Sequence, residues 1–275
     1  MGCEALASPQ TILSDCPRMA LDDRFTFRCG PELACFGHCC RDVTIVLTPF
    51  DVLRLKTALG MDSSEFLEKH TISPRFEGQK FPIVILKMDE EGAKQCPFLN
   101  VGQAEGLPHQ GCGVYAHRPW ACRMYPLGAA EPKSPTPTDQ PFHFLVREDL
   151  CQGHGEACEV SVRQWISRQG AEEYEMMGAG FKELTLHDFW DGDRPLTEAQ
   201  ADMFYMACYD LDRFRRFVFE SRFLQVFEVD EARVEALRND DQELLEFGIQ
   251  WLRLTIFGER SMKLRRDAAL RRNGK

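Results

Sequence analysis

The chain has 275 residues, a net charge of −10, 44% hydrophobic and 28% charged residues, and twelve cysteines. Length and composition are those of a soluble globular protein of one or two domains whose core needs no disulfides in order to fold. The acidic balance argues against general nucleic-acid binding, since a phosphate backbone would be repelled, and no stretch approaches the roughly eighteen apolar residues of a membrane span.

In chain order, MGCEALASPQTILSDCP has no basic start and no continuous apolar run, so no secretory signal is read there and a cytoplasmic protein is expected. Residues 1–24 read as an irregular arm, and 25–40 hold too much Gly, Pro and Cys for regular structure. In DVTIVLT (42–48), Val43, Ile45 and Leu47 alternate as a strand requires. The next segment, TPFDVLRLKTALG, predicts a helix. Thr48 serves as N-cap, Pro49 fits the first helical position, Asp51 lies in the positive first turn and Gly60 is the stop. A short helix is expected over Ser63–His70. Strands are expected at FPIVILKM (81–88), GVY (113–115) and FHFLV (142–146), with AAEPKSPTPTDQP (129–141) a Pro-rich surface loop. After Cys158 helical spacing recurs over 161–170, 172–184, 198–220, 230–239 and 241–258.

The fold class expected is α+β, a small cysteine-rich metal-binding region with short strands followed by an α-helical region. The divisions are an arm over 1–24, a cysteine-cluster domain over 25–158 and a helical region over 159–275. The last ends in a basic tail, KLRRDAALRRNGK (263–275), with six basic residues against one acid. That tail reads as a solvated terminus, the sharper alternative being a docking tail for an acidic protein partner.

In a reducing compartment twelve cysteines are poorly explained as disulfides, and the adjacent Cys39 and Cys40 bridge each other only with strain. The order is Cys29-x5-Cys35-x3-Cys39-Cys40, then Cys96, Cys112, Cys122 and Cys151, with Cys158 close behind. Thiolates gathered in one place repel, and a zinc or iron cation relieves that repulsion while its binding energy becomes part of folding. Structural zinc favours pairs with two to four intervening residues, which Cys35-x3-Cys39 alone satisfies. Adjacent ligands suit two metals or a polynuclear cluster, and Cys96-Pro97 resembles the cysteine–proline end of ferredoxin runs. Iron or iron–sulfur, zinc, and thiol redox chemistry without metal all stay open.

Cys29, Cys35, Cys39-Cys40, CPFL, GCGVYAHRPWACRMYPL and CQGHG together resemble the YkgJ-type cysteine-cluster family, also described as the CxxCxxCC zinc- or iron-chelating domain. The resemblance covers about residues 25–158, roughly half of the chain. It implies an eight-cysteine metal site on Cys29, Cys35, Cys39, Cys40, Cys96, Cys112, Cys122 and Cys151, holding an iron–sulfur cluster or iron, or alternatively zinc. A similar cysteine cluster occurs in flagellin lysine-N-methylases, so an enzymatic role is compatible with it. Here five and three residues separate the first cysteines, where the family's literal spacing has two and two.

Other candidates carry less. Cys3 and Cys16 read as arm thiols, Cys208 in MFYMACYDL as a small buried hydrophobe, and Cys158 as the alternative to Cys151. His38 is expected to support the ligands or face solvent, with direct ligation the alternative; His117 and His154 also lie near cysteines. Arg118 and Arg123 could offset thiolate charge or hold an anionic substrate, but contacts to backbone carbonyls beneath the site are the favoured reading. Tyr125 and Pro126 are expected to fix the turn after Cys122, and the phenylalanines to pack the core. G-x-G-x-x-G, G-x-x-x-x-G-K-[ST], H-E-x-x-H and G-x-S-x-G are absent, which weakens dinucleotide, nucleotide-hydrolysing and peptidase readings. Two functions follow: a metal-binding protein, or a metal-cluster-dependent redox or protein-modifying enzyme with a cleft lined by Arg118, Arg123 and His38. Metal storage or transfer is a third. The expected partners are a metal ion and a protein, without nucleic acid or membrane.

Overall fold

The computed structural model describes residues 3–4, 16–90, 94–99, 111–137, 140–192 and 195–265. Most of the expected N-terminal arm (5–15) and the basic tail from residue 266 lie outside the described residues. The chain divides into two compact units, Met1–Val46 with Leu86–Glu175, and Leu47–Ile85 with Met176–Lys275. Short strands precede a helical region, the α+β class expected.

In the first unit, Phe142–Arg147 is the middle strand of a three-stranded sheet, antiparallel to Leu127–Ala130 and parallel to Cys3–Glu4. FHFLVR forms this strand because both its faces are covered. Phe142 and Phe144 pack with Cys16 on one side, and Leu145 joins the main core on the other. Leu127–Ala130 begins before the expected Pro-rich loop and takes its first two residues. Gly128 lies opposite Phe144, whose ring covers it so closely that a Cβ there would sit 2.2 Å from the ring.

A second pair, Arg24–Thr26 antiparallel to Glu159–Ser161, sets Phe25 opposite Val160. It lies partly in the stretch expected to be irregular, where a three-residue strand leaves almost no periodicity to read. Ser161 then opens the helix Val162–Gln169 with a capping box to Gln164, and Gly170 closes it in the left-handed region (φ 61°). Phe25, Phe27, Met124, Leu127, Leu145, Val160, Val162 and Ile166 form the core of this unit, with Trp120, Tyr125 and Trp165 packed against them. Each large apolar side chain so buried contributes roughly 1.5–3 kcal/mol.

Two expected strands are shorter than the sequence suggests, Val46–Leu47 and Val84–Leu86. GVY is not a strand. One bridge joins Leu99 to Cys112, and the chain then turns into a 3-10 turn over Tyr115–His117 because Tyr115 N–H bonds the Cys112 carbonyl.

The second unit is largely helical. Pro49–Leu59 has the expected ends, a capping box between Thr48 and Asp51 and a left-handed Gly60 (φ 63°). Ser63–His70 follows as expected. The single helix expected over 198–220 is two, Glu198–Cys208 and Leu211–Glu220. The break falls at Asp210, which leaves helical geometry (φ −98°, ψ 67°) and whose carboxylate accepts hydrogen bonds from the hydroxyls of Ser63 (2.6 Å) and Ser64 (2.8 Å). Phe214 packs against Trp251 and Phe223 at 5.5 and 6.4 Å between ring centres, and Phe217 against Trp251 at 5.3 Å, which is the packing role expected of them. Cys208 is fully buried, also as expected. Lys56 is buried too, bonded to Asp212 (2.9 Å) and Asp241 (2.8 Å), and Arg215 reaches both aspartates. Among the described residues no helix is long and apolar enough to cross a membrane.

Candidate metal centre

All eight cysteines singled out in the sequence lie in the first unit, and backbone bonds bring their segments together. Phe27 and Arg28 N–H groups bond the carbonyls of Cys158 (2.9 Å) and Gly153 (3.1 Å), laying the Cys29 segment along the segment that carries Cys151. Successive turns then run from Gly30 to the 3-10 turn His38–Cys40, with Gly37 supplying a left-handed step (φ 81°) that a side chain would strain. Gln152 N–H points at the Cys35 sulfur (3.3 Å). Cys96 N–H bonds the Cys40 carbonyl (2.8 Å), and the Leu99–Cys112 bridge carries the chain to Cys112. Cys122 lies in the helix Trp120–Met124, anchored by Trp120 against the core.

The thiols surround two concavities. A cavity of about 390 Å³ is lined by Cys29, Cys39, Cys40, Cys96, Cys112 and Cys122, and Cys158 joins that wall. A cleft of about 700 Å³ is lined by Cys29, Cys35, Cys39 and Cys151. Cys29 and Cys39 face both.

Electrostatics ties the eight into one group. Burial pushes the Cys29 thiol up to about 11, and Cys39, Cys151 and Cys35 add to the shift. Cys40 bonds Cys39, which holds Cys39 down at about 7 and pushes Cys40 well above the usual thiol range; burial, Cys39, Cys96 and Cys122 push Cys40 in the same direction. Cys96 is raised by burial and by Cys112, against N–H bonds from Phe98 and Leu99. Cys112 is raised by burial, against an N–H from Val114 and the charge of Arg118. The raised thiols, Cys29, Cys40, Cys96 and Cys112, ionise more readily beside a counter-charge.

A soft cation is the counter-charge this donor set fits. Sulfur ligands select zinc, iron or iron–sulfur over hard cations, and amide N–H groups aimed at sulfur favour the thiolate form. Among the described residues no three His, Cys, Asp or Glu side chains stand close enough to hold a metal ion as they are. The backbone gathers the segments that carry the sulfurs.

The arginines do not line the cleft as the enzymatic reading expected. Arg123 is buried and donates to the carbonyls of Arg118 (3.0 Å), Gln169 (2.6 Å) and Ala116 and to the Tyr174 hydroxyl (3.1 Å). Arg118 donates to the Tyr115 carbonyl (2.9 Å) and Gln169, with its guanidinium 3.9 Å from the Tyr115 ring centre. Contacts to carbonyls were the favoured reading for both, and Arg118 also lines the cavity. His38 is exposed and lines the cleft beside Arg41 and Arg147. His117 and His154 are half-buried, and burial pushes His154 below the usual histidine range. Cys16, expected as an arm thiol, is buried and disulfide-bonded.

Two residues near the thiols escaped the sequence reading. The buried Tyr125 hydroxyl, raised by burial and by the neighbouring Cys151, lines both concavities, although the tyrosine was expected only to shape a turn; its peptide to Pro126 is cis. Glu148 lines both concavities and acts on Cys39. No sequence pattern marks an isolated glutamate, whereas the YP step after Cys122 was a signal for Tyr125.

A group of soft donors held on a small α+β unit defines a metal-chelating domain. Residues 28–160 match the family described as CxxCxxCC, putative zinc- or iron-chelating domain. That segment, just under half of the chain, is similar to that family. No curated protein and no solved structure gives a significant match.

Proposed function

We propose that the cysteine-cluster domain, residues 25–158, is a cytoplasmic eight-cysteine site for iron, as an iron–sulfur cluster, or for zinc, with Cys29, Cys35, Cys39, Cys40, Cys96, Cys112, Cys122 and Cys151 as ligands. The observation that carries this reading is that these eight thiols act on one another electrostatically around two adjoining concavities. A bound metal would supply positive charge that favours the thiolate form of its ligands. The chain's own part is to aim amide N–H groups at Cys35, Cys96 and Cys112 and to set the Arg118 charge beside Cys112 and Cys122. Purification without oxygen, elemental analysis and visible and EPR spectroscopy test it: zinc or iron should co-purify with the chain. A folded, colourless, metal-free chain with every thiol reactive would overturn it.

A second reading, a metal-dependent redox or protein-modifying enzyme, is favoured by one observation. The cleft of about 700 Å³ opens beside Cys29, Cys35, Cys39 and Cys151 and is lined by His38, Arg41, Arg147 and Glu148. Arg41→Ala and His38→Ala variants that keep their metal but lose turnover of a substrate found by screening would support it; unchanged turnover would remove these residues from any such role.

A further inference from the structure

We infer that the eight thiols form two four-thiolate centres, Cys40, Cys96, Cys112 and Cys122 at the cavity, and Cys29, Cys35, Cys39 and Cys151 at the cleft, meeting at the Cys39–Cys40 peptide. This rests on the metal-binding reading above and specifies how the donors are shared. Chemistry sets the count: tetrahedral zinc takes about four sulfurs, and so does an iron–sulfur cluster, so eight donors exceed one such centre and complete two.

The structure sets the partition. Cys35 and Cys151 line only the cleft; Cys40, Cys96, Cys112 and Cys122 line only the cavity. Cys29 and Cys39 face both, and giving them to the cleft divides the eight into two groups of four, with Cys158 a ninth thiol on the cavity wall. The backbone agrees. Cys40 and Cys96 are joined by an N–H···O bond of 2.8 Å, and Cys112 follows through the bridge at Leu99. On the other side, Arg28 N–H bonds Gly153 and Gln152 N–H points at Cys35, which puts the Cys29–Cys35 segment against the Cys151 turn. Counter-charge divides the same way, with Arg118 and Arg168 on the cavity and Arg41 and Arg147 on the cleft. The groups meet at the Cys39–Cys40 peptide, so adjacent residues serve neighbouring centres and one tetrahedron need not accommodate both.

Zinc counting on the full chain tests this. The chain loaded with zinc and freed of excess should retain two equivalents. Cys35→Ser and Cys96→Ser should each retain one, and the double variant none. Titration with Co²⁺ should show thiolate-to-metal absorption that falls by half in each single variant. One equivalent in the unsubstituted chain, or loss of all metal from either single variant that stays folded by far-UV circular dichroism, would overturn the partition while leaving the metal-binding reading intact. No zinc, iron or Co²⁺ retained by the unsubstituted chain would overturn both. Should a variant fail to fold, the count on the unsubstituted chain decides.

Discussion

Gly153 and Gly155 lie two residues apart in the turn after Cys151, and the structure sets opposite outcomes for alanine at each. A Cβ on Gly153 would stand 2.7 Å from the Arg28 carbonyl oxygen and 2.7 Å from the Phe27 ring, whereas one on Gly155 would meet nothing within 4 Å. The ring can tilt. The carbonyl cannot, because it belongs to the strip whose Arg28 N–H bonds Gly153 O at 3.1 Å. Overpacking costs about 1–3 kcal/mol, and loss of that bond adds about 1 kcal/mol. The smaller unfolded-state entropy of alanine returns about 0.4–1 kcal/mol. Gly153→Ala should therefore destabilise by about 2 kcal/mol, and Gly155→Ala should be neutral or slightly stabilising. Urea unfolding read by the fluorescence of Trp120 and Trp165, which pack on this core, measures both. Since the strip aligns Cys29 with Cys151, Gly153→Ala should also weaken metal retention while Gly155→Ala does not. Equal midpoints for the two variants would refute the reasoning.

Three further outcomes follow from the structure. Lys56→Met leaves Asp212 and Asp241, 19% and 23% exposed, with Arg215 as their remaining basic partner, and should cost about 3 kcal/mol at neutral pH. Burial opposes ionisation of both aspartates, but bonds to Lys56 outweigh it and hold their carboxyls below the usual range. Their stabilisation is thus present above the unfolded carboxylate value and lost as pH falls through the lower folded one. Lys56, where the same bonds outweigh burial, is raised, so its share is lost as pH rises through its folded value. The cost of Lys56→Met, from thermal unfolding across pH, should be greatest at neutrality and shrink towards both extremes; a cost independent of pH would contradict the network. Arg123→Met strips donors from three carbonyls and should cost about 3 kcal/mol or more, with Arg123→Lys restoring little because a single ammonium cannot reach them all; urea midpoints compare the two. Cys208→Ser puts a hydroxyl in a fully buried apolar position and should lose about 1–3 kcal/mol with metal content by elemental analysis unchanged, separating this cysteine from the site.

The sequence by itself determined whatever depends on near neighbours in the chain. Thr48, Pro49, Asp51 and Gly60 carry the chemistry of a helix start and stop within their own side chains, and the helix Pro49–Leu59 has those ends. Cys29, Cys35, Cys39 and Cys40 announced a metal-chelating domain because thiols crowded along a chain are already crowded in space. Tertiary structure alone decided what depends on distant partners. Asp210 stands between two helices where Ser63 and Ser64, far away in the chain, meet its carboxylate. Leu127–Ala130 is a strand because it pairs with Phe142–Leu145, and Phe144 lies over Gly128. Arg123 serves carbonyls because Gln169 and Tyr174 close around it. Which thiols share a concavity was likewise settled by bonds such as Cys96 N–H to Cys40 O, made between residues far apart in the chain, where spacing along the sequence holds no record of the approach.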